Sequence, residues 1–337
     1  MAIPVFFLLI GLEVWIDFRR GTGAYRLSDA LSSLSIGGLS QITGFYSAAV
    51  VILLYGLVFR SLAITELPSD DWRVWVAAVL AYDFLYYWKH RCGHEIAILW
   101  ASHVTHHSSE HYNLTTALRQ SSTDFLLGWI LYLPMALLGF PTAIFIAAGL
   151  INLLYQYWIH TRHIGRLGWF DRIFASPSNH RVHHGQNDYC LDRNYGGILM
   201  LWDHLFGSFA AEREDEPIVY GIRGQLASYD PLLANLHVYG ELARQTLRAQ
   251  NWRERASLLL GPPGGRAAKP VWSADEFRPF EPAQPRLGAI AGFLLFLPLM
   301  GAAIAWLATA PSLPALVTLA GAAALTGALR LFGQGLS

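Results

Sequence analysis

Residues 42–64 read ITGFYSAAVVILLYGLVFRSLAI, an apolar run carrying a single charge, Arg60. A helix needs about 20 predominantly apolar residues to cross the hydrocarbon of a bilayer, and this stretch supplies them. Runs of the same kind occupy 2–18, 72–88 and 124–159, and two more lie at 287–308 and 313–332. The chain has 337 residues, 53% of them hydrophobic and 14% charged, where soluble domains usually carry about a quarter charged residues. The sequence therefore predicts an all-α, multi-span integral membrane bundle. Segment 124–159 is broken by Pro134 and by Gly139-Phe140-Pro141, so it reads as a re-entrant hairpin that dips in and returns. The run 2–18 has no basic leader and no small-residue cleavage site, and is expected to be a retained span.

Basic residues flank some of these runs: Arg19, Arg20 and Arg26, then Lys89 and Arg91, then Arg162 and Arg166. The loop between the second and third runs is acidic instead, with Glu66, Asp70 and Asp71. The positive-inside rule puts the basic ends in the cytoplasm. Residues 160–285 are polar enough to form a cytoplasmic helical cap on that side, closing with a Pro/Gly-rich connector, 261–285 (GPPGGRAAKPVWSADEFRPFEPAQP). The expected organisation is one membrane domain over 1–285 and a C-terminal transmembrane hairpin over 286–337. That hairpin holds no histidine, so packing or anchoring is its expected role. The formal net charge is zero, which argues against a nucleic-acid partner, since phosphate binding needs a basic excess. Two cysteines, Cys92 and Cys190, make neither a disulfide framework nor a CxxC pair.

The chemistry is carried by histidine. HRCGHE (90–95) places His90 and His94 four apart, ASHVTHHSSEH (101–111) contains His103, His106 and His107, and NHRVHHG (179–185) repeats the spacing with His180, His183 and His184. On an α-helix, residues three and four apart share a face, so these are three helical patches bearing eight imidazoles. A lone histidine in a membrane protein usually packs or sits at the interface, but a repeated spacing on one predicted side points to metal. Eight nitrogens exceed what one ion accepts and suit two, with room for oxygen or water. His160, at the end of the hairpin, is the candidate ninth. His111, His163, His204 and His237 have no matched spacing. A zinc hydrolase would need fewer nitrogens and an HExxH motif, which is absent. A haem electron carrier would place paired histidines on facing helices within the bilayer.

HRCGHE, HVTHHSSEHYNLTTALRQS and NHRVHHGQNDYCLDRNYGGILMLWDHLFGSF together resemble the fatty acid hydroxylase and sterol desaturase superfamily of membrane di-iron proteins. The likeness covers roughly 70–250 and is strongest to the alkylglycerol-oxidising branch. It implies a non-haem centre of two Fe ions with His90, His94, His103, His106, His107, His180, His183 and His184 as ligands, and His160 in the position of the additional histidine. It also implies O2 as co-substrate, a lipid substrate hydroxylated at an unactivated or ether-adjacent carbon, and tetrahydrobiopterin as electron donor. No GxGxxG, CxxCH or ferredoxin-type cysteine run is present, so electrons are expected from a small reductant or a separate protein. Fatty acyl or sterol hydroxylation or desaturation shares the same metal chemistry. A metal-bound imidazole normally gives its other N–H to a carboxylate or carbonyl. Glu95 and Glu110 adjoin the clusters and are the expected acceptors, with Asp83, Asp188 and Asp192 as weaker candidates. Asn113 and Arg119 are expected either to orient a ligand or head group or to cap and pair locally.

Overall fold

The structure is a computed structural model that describes residues 3–265 and 272–337; six residues of the 261–285 connector lie outside that description. The rest of the connector is turns and irregular chain. Among the described residues the elements are all helical, with two isolated bridges, Phe174–Leu199 and Gly185–Tyr220, in place of a sheet. Three helices are long and apolar enough to cross a membrane: α2 (Leu27–Leu62), α13 (Ala289–Thr309, continued by one turn to Ser312) and α14 (Ala315–Leu336). The chain is an integral membrane protein.

Two of the expected spans differ in kind from these three. The N-terminal run forms α1 (Ile3–Arg20), but Glu13 and Asp17 on it are buried against polar chain, not lipid. Glu13 accepts hydrogen bonds from Tyr25, from the Thr161 hydroxyl and from the backbone N–H of Leu114 (2.8 Å). Asp17 accepts from the N–H groups of Ala24 and Tyr25 (3.0 and 3.2 Å). The acidic stripe thus fastens α1 to the segments after His111 and His160, while Leu8, Leu12, Trp15 and Phe18 stay exposed on its other side. The third run lies in α3 (Trp72–Glu95), capped by the Asp71 side chain on the Arg73 N–H, and with Asp83 at its middle and Arg73, Lys89, Arg91 and Glu95 toward its ends it is too charged to match the three long apolar helices.

Helix α2 begins at Leu27, fifteen residues before the apolar run that predicts it. At 1.5 Å per residue its 36 residues span about 54 Å, far beyond the roughly 30 Å of hydrocarbon. Its early serines do not break it, because Ser35 and Ser40 return their hydroxyls to the carbonyls of Leu31 and Gly37. This half packs on α13 and α14, where Leu31, Phe296, Phe332 and Leu336 form a core shared with Tyr229.

The 124–159 segment does fold back on itself. Short 3-10 turns at Asp124–Leu126 and Gly128–Tyr132 run into α6 (Leu133–Leu137), and α7 (Thr142–Tyr157) returns. The bend sits at Gly139, whose φ of +90° and whose contact with the Thr65 carbonyl, 2.1 Å from where a Cβ would stand, admit only glycine. Helix α7 packs along α3, and α4 (Ala97–His107) packs between α3 and α11 (Pro231–Arg248). The short helix α5 (Leu114–Ala117) follows α4, and α8 (Phe170–Ile173), α9 (Pro177–His183), α10 (Leu201–Phe206) and α12 (Trp252–Leu260) lie within 160–285. Asp230 joins α11 to α14: it caps α11 through the N–H groups of Leu232 and Leu233 and accepts from Arg330 and Gln334 of α14.

Candidate metal centre

Four elements converge at the C-terminal end of α3. Helix α3 ends with His90 and His94, α4 with His103, His106 and His107, and α7 is followed at once by His160. Helix α9 supplies His180 and His183, with His184 as its C-cap. Its start is fixed by a capping box: Ser176 accepts from the Asn179 N–H while Asn179 accepts from the Ser176 N–H, with Pro177 in the first turn. Nine imidazoles meet here in two groups, each with its nitrogens within 4.8 Å of one another: His90, His94, His103, His107 and His183 in one, His106, His160, His180 and His184 in the other.

The grouping divides each HxxHH triplet. Successive residues on a helix are about 100° apart, so i and i+4 lie about 40° from each other while i+3 and i+4 diverge by a full 100°. Helix α4 gives its i, i+4 pair, His103 and His107, to the larger group and His106 to the smaller. Helix α9 does the reverse, giving His180 and His184 to the smaller group and His183 to the larger. Adjacent histidines of each triplet thus face different groups, and two helices serve both.

Backbone carbonyls set the tautomers. His90 Nδ1 lies 2.9 Å from the Tyr195 carbonyl, His106 Nδ1 3.1 Å from that of Arg119, His160 Nδ1 2.8 Å from that of Gln156 and His183 Nδ1 2.9 Å from that of Arg193. A carbonyl only accepts, so each of these Nδ1 atoms carries the hydrogen and each Nε2 keeps its lone pair. Yet His106 Nε2 and His160 Nε2 stand 3.2 Å apart, two lone pairs facing each other. His94 Nε2 and His183 Nε2 are buried with no hydrogen-bond partner. Other pairs within each group approach to 2.9–3.2 Å, about the separation of neighbouring imidazoles around one first-row ion with bonds near 2.1 Å. A cation in each group resolves these contacts; protons cannot satisfy them all. Burial holds the rings neutral, the form that binds metal: the imidazoles of His103, His107, His180, His183 and His184 are pushed well below the usual range, first by loss of water and then by one another, and His106 falls to about 4.

Residues 75–208 match the fatty acid hydroxylase family, and every one of the nine histidines lies inside that interval. Over this stretch the chain carries a segment similar to that family. Its similarity to curated relatives extends further. It is 39% identical to human alkylglycerol monooxygenase over 82% of this chain and 61% of the human one. It is 38% identical to the Danio rerio alkylglycerol monooxygenase over 86% of this chain and 61% of that one, and 32% identical to an ornithine lipid hydroxylase of Rhizobium tropici over about half of each. The chain spans about three fifths of the length of the alkylglycerol monooxygenases just named. No solved structure matches it.

Most of the acidic and amide residues expected to steady these imidazoles are engaged elsewhere. Glu95 turns outward and pairs with Arg91 at 2.9 Å. Glu110 accepts from the N–H of Phe280 and from Gln225, tying the connector down. Asn113 is fully buried, caps α5 through the Thr115 N–H and donates to the Ala24 carbonyl. Asp188 pairs with Arg223, and Asp83 is buried under the N–H groups of Ile198, Leu199 and Trp202. Asp192 alone comes near an imidazole, 3.8 Å from His94 Nδ1. Backbone carbonyls took the role because the loops after α9 and α5 pass directly over the rings. The carboxylate of Asp203 shapes the first of these loops by accepting from the N–H groups of Tyr195 and Gly196 (2.8 and 2.7 Å). Arg119 shapes the second from a fully buried position, donating to the Thr105 carbonyl (2.9 Å) and to Ser108. Of the unmatched histidines, His163 faces Asp17, His204 stacks on Phe209 and His237 bonds to carbonyls of its own helix.

Proposed function

We propose that this protein is an O2-dependent, di-iron lipid monooxygenase that oxidises the alkyl carbon next to an ether oxygen, as the names of the alkylglycerol monooxygenases it resembles suggest. The observation that carries the proposal is the pair of buried imidazole groups whose lone pairs already face one another. We assign His90, His94, His103, His107 and His183 to one ion and His106, His160, His180 and His184 to the other. An octahedral ion takes about six ligands, so the two groups leave about one and two positions open. Iron bound there supplies the activation of O2 and the oxidation of an unactivated C–H bond.

The chain's own residues supply placement and dryness. Trp100 packs against His94 and His107, and Tyr112 lies over His160 and His184, which keeps bulk water off both groups. Overall, a CH2–O–C unit with O2, two electrons and two protons gives a hemiacetal and one water, and the hemiacetal collapses to an aldehyde and an alcohol. The electrons come from an external reductant, which we take to be tetrahydrobiopterin or a separate donor protein. We place the imidazoles on the cytoplasmic face, with 1–285 as the oxygenase domain and 286–337 as its anchor.

Anaerobic loading should give about two irons per chain with no haem Soret band. O2 and reductant should then convert alkylglycerols to aldehyde in a panel that also holds fatty acyl lipids and sterols, read by mass spectrometry. Oxidation or desaturation confined to acyl lipids or sterols would move the assignment to another activity of the same family. No product from any lipid under any reductant would remove it.

A further inference from the structure

We propose that Lys89 and Asp124 are the anchor for the polar end of the lipid, and that this anchor selects an uncharged, hydroxyl-bearing head group and brings the oxidised carbon within a few bonds of it. The inference rests on the oxygenase reading above for the reaction, and adds which residues choose the substrate. A cavity of about 40 Å³ touches His90 and His103 of the larger imidazole group, and its other walls include Tyr86, Lys89, Asp124 and Gly128. That is room for a few water-sized groups, enough for the hydroxyl-bearing end of a lipid and not for its chain. The chain has an apolar way out, because Leu126, Leu127 and Ile130, on the turns beside Asp124 and Gly128, are exposed.

The pair itself is built for neutral hydroxyls. Lys89 Nζ donates to Asp124 Oδ2 at 2.7 Å, and the ammonium also lies 5.9 Å from the centre of the Tyr132 ring. A Cβ on Gly128 would stand 2.7 Å from both Asp124 Oδ1 and Lys89 Cε, so glycine is what lets the two side chains meet here. Neither partner is sealed off, since the side chains keep 22% and 47% of their surface. An ammonium beside a carboxylate presents donors and an acceptor with no net charge. A hydroxyl, which both gives and takes a hydrogen bond, is satisfied by both at once. A phosphate would meet the carboxylate as a like charge, and a bare alkyl end would leave both unserved. Because one cavity is walled by the pair and by two imidazoles, a head group held by the pair leaves little chain between itself and the reacting carbon. A hydroxylase acting in the middle of a chain needs its polar anchor far from its metal.

The test is competition binding to anaerobic, iron-loaded full-length protein in nanodiscs, with hexadecylglycerol ether, its phosphate monoester and hexadecyl methyl ether as probes. The wild type should bind the diol about tenfold more tightly than either other probe, the worth of one hydrogen bond to a charged group. Asp124→Asn should lose about that tenfold on the diol and reverse the order in favour of the phosphate, because Lys89 is left as an unopposed cation. Lys89→Met should weaken the diol and exclude the phosphate further, which a general loosening of the fold would not do. Iron content, read on each sample, identifies a variant that has failed to fold. A wild type that binds all three probes alike overturns the proposal, as does an unchanged order in an iron-replete Asp124→Asn. Ranked binding without oxidised product would sink the oxygenase reading and leave the anchor standing; turnover with flat binding would do the opposite.

Discussion

The two imidazole groups are assembled from the same pair of helices, yet they sit in different surroundings. The larger group takes His90 and His94 from the end of the long helix α3, borders the cavity at Lys89 and Asp124, and has Asp192 near one of its rings. The smaller takes its extra member, His160, from the end of α7 and lies under Tyr112, with Arg119 fully buried behind His106. One group thus opens on a cavity and the other is closed in by Tyr112 and the segment around Arg119. Since α4 and α9 contribute to both, neither group can shift without dragging the other, and their separation is set by two helices and not by loops. Under the proposed function this difference divides the labour: the group that borders the cavity is the one placed to meet substrate, and the enclosed one completes the pair.

The sharpest way to break this comparison is to remove one member of each. His160→Ala and His94→Ala should each lower bound iron from about two to about one per chain and depress turnover by at least about a hundredfold, beyond the usual effect of outer-shell partners. His237→Ala, on a ring that meets neither group, should keep both irons and full activity. If His160→Ala empties both groups, they load as a single unit and the division of labour fails. Arg119→Met is the next largest. It strips the Thr105 carbonyl and Ser108 of their donor and frees the segment whose carbonyl holds His106. Iron affinity should fall about tenfold to a hundredfold, in the enclosed group only, as read by stepwise chelator titration. A loss shared evenly by both groups would show that Arg119 serves the fold at large.

Much of the centre was legible because imidazoles are few and their spacing is a helical signature. The apolar runs and the Gly139 bend gave the helical class and the folded-back hairpin for the same reason: length and backbone freedom are properties of residue type. The partners of the rings were not legible. The carbonyls of Arg119, Gln156, Arg193 and Tyr195 belong to residues whose side chains say nothing of the role, and a carbonyl leaves no mark in a sequence. Carboxylates next to the histidines looked like better acceptors, but neighbours along a helix point 100° apart, and Glu95 follows His94. Glu13 and Asp17 did carry a signal, since carboxylates inside an apolar run are costly in lipid and mark the face that meets protein. The splitting of each HxxHH triplet was likewise present in the 100° step.

Glu212 offers a smaller, pH-resolved effect. It clamps α9 by accepting from Arg181 Nε and Nη2 (2.8 and 2.7 Å) and from Ser178. Burial pushes its carboxyl up, but the Arg181 guanidinium and the Ser178 hydroxyl pull it down further, to a net position below the ordinary 4.5. A folded value below the unfolded one means that the stabilisation is fully present above about pH 4.5 and fades as pH falls through the folded value. Glu212→Gln should therefore lower the Tm of the metal-free protein at pH 7 by the equivalent of about 2 kcal/mol, and the two proteins should draw together below pH 4. A constant gap across that window would mean that the charge is not what holds α9.

The smallest expected change is also the plainest check on where the rings find their partners. Glu95 follows His94 directly, and a carboxylate steadying that ring would be costly to lose: tenfold to a hundredfold in metal affinity is usual, by order of magnitude. Here Glu95 instead pairs with Arg91 one turn back, at an exposed site on the end of α3. Ion pairs of that kind contribute about 0.5 kcal/mol or less. Glu95→Ala should leave iron stoichiometry, turnover and head-group ranking at wild-type values, with a Tm shift near the error of the measurement. An iron affinity reduced by tenfold or more would put the carboxylate back beside the open group, and the contrast between carbonyl-held rings and outward-facing acids would no longer hold.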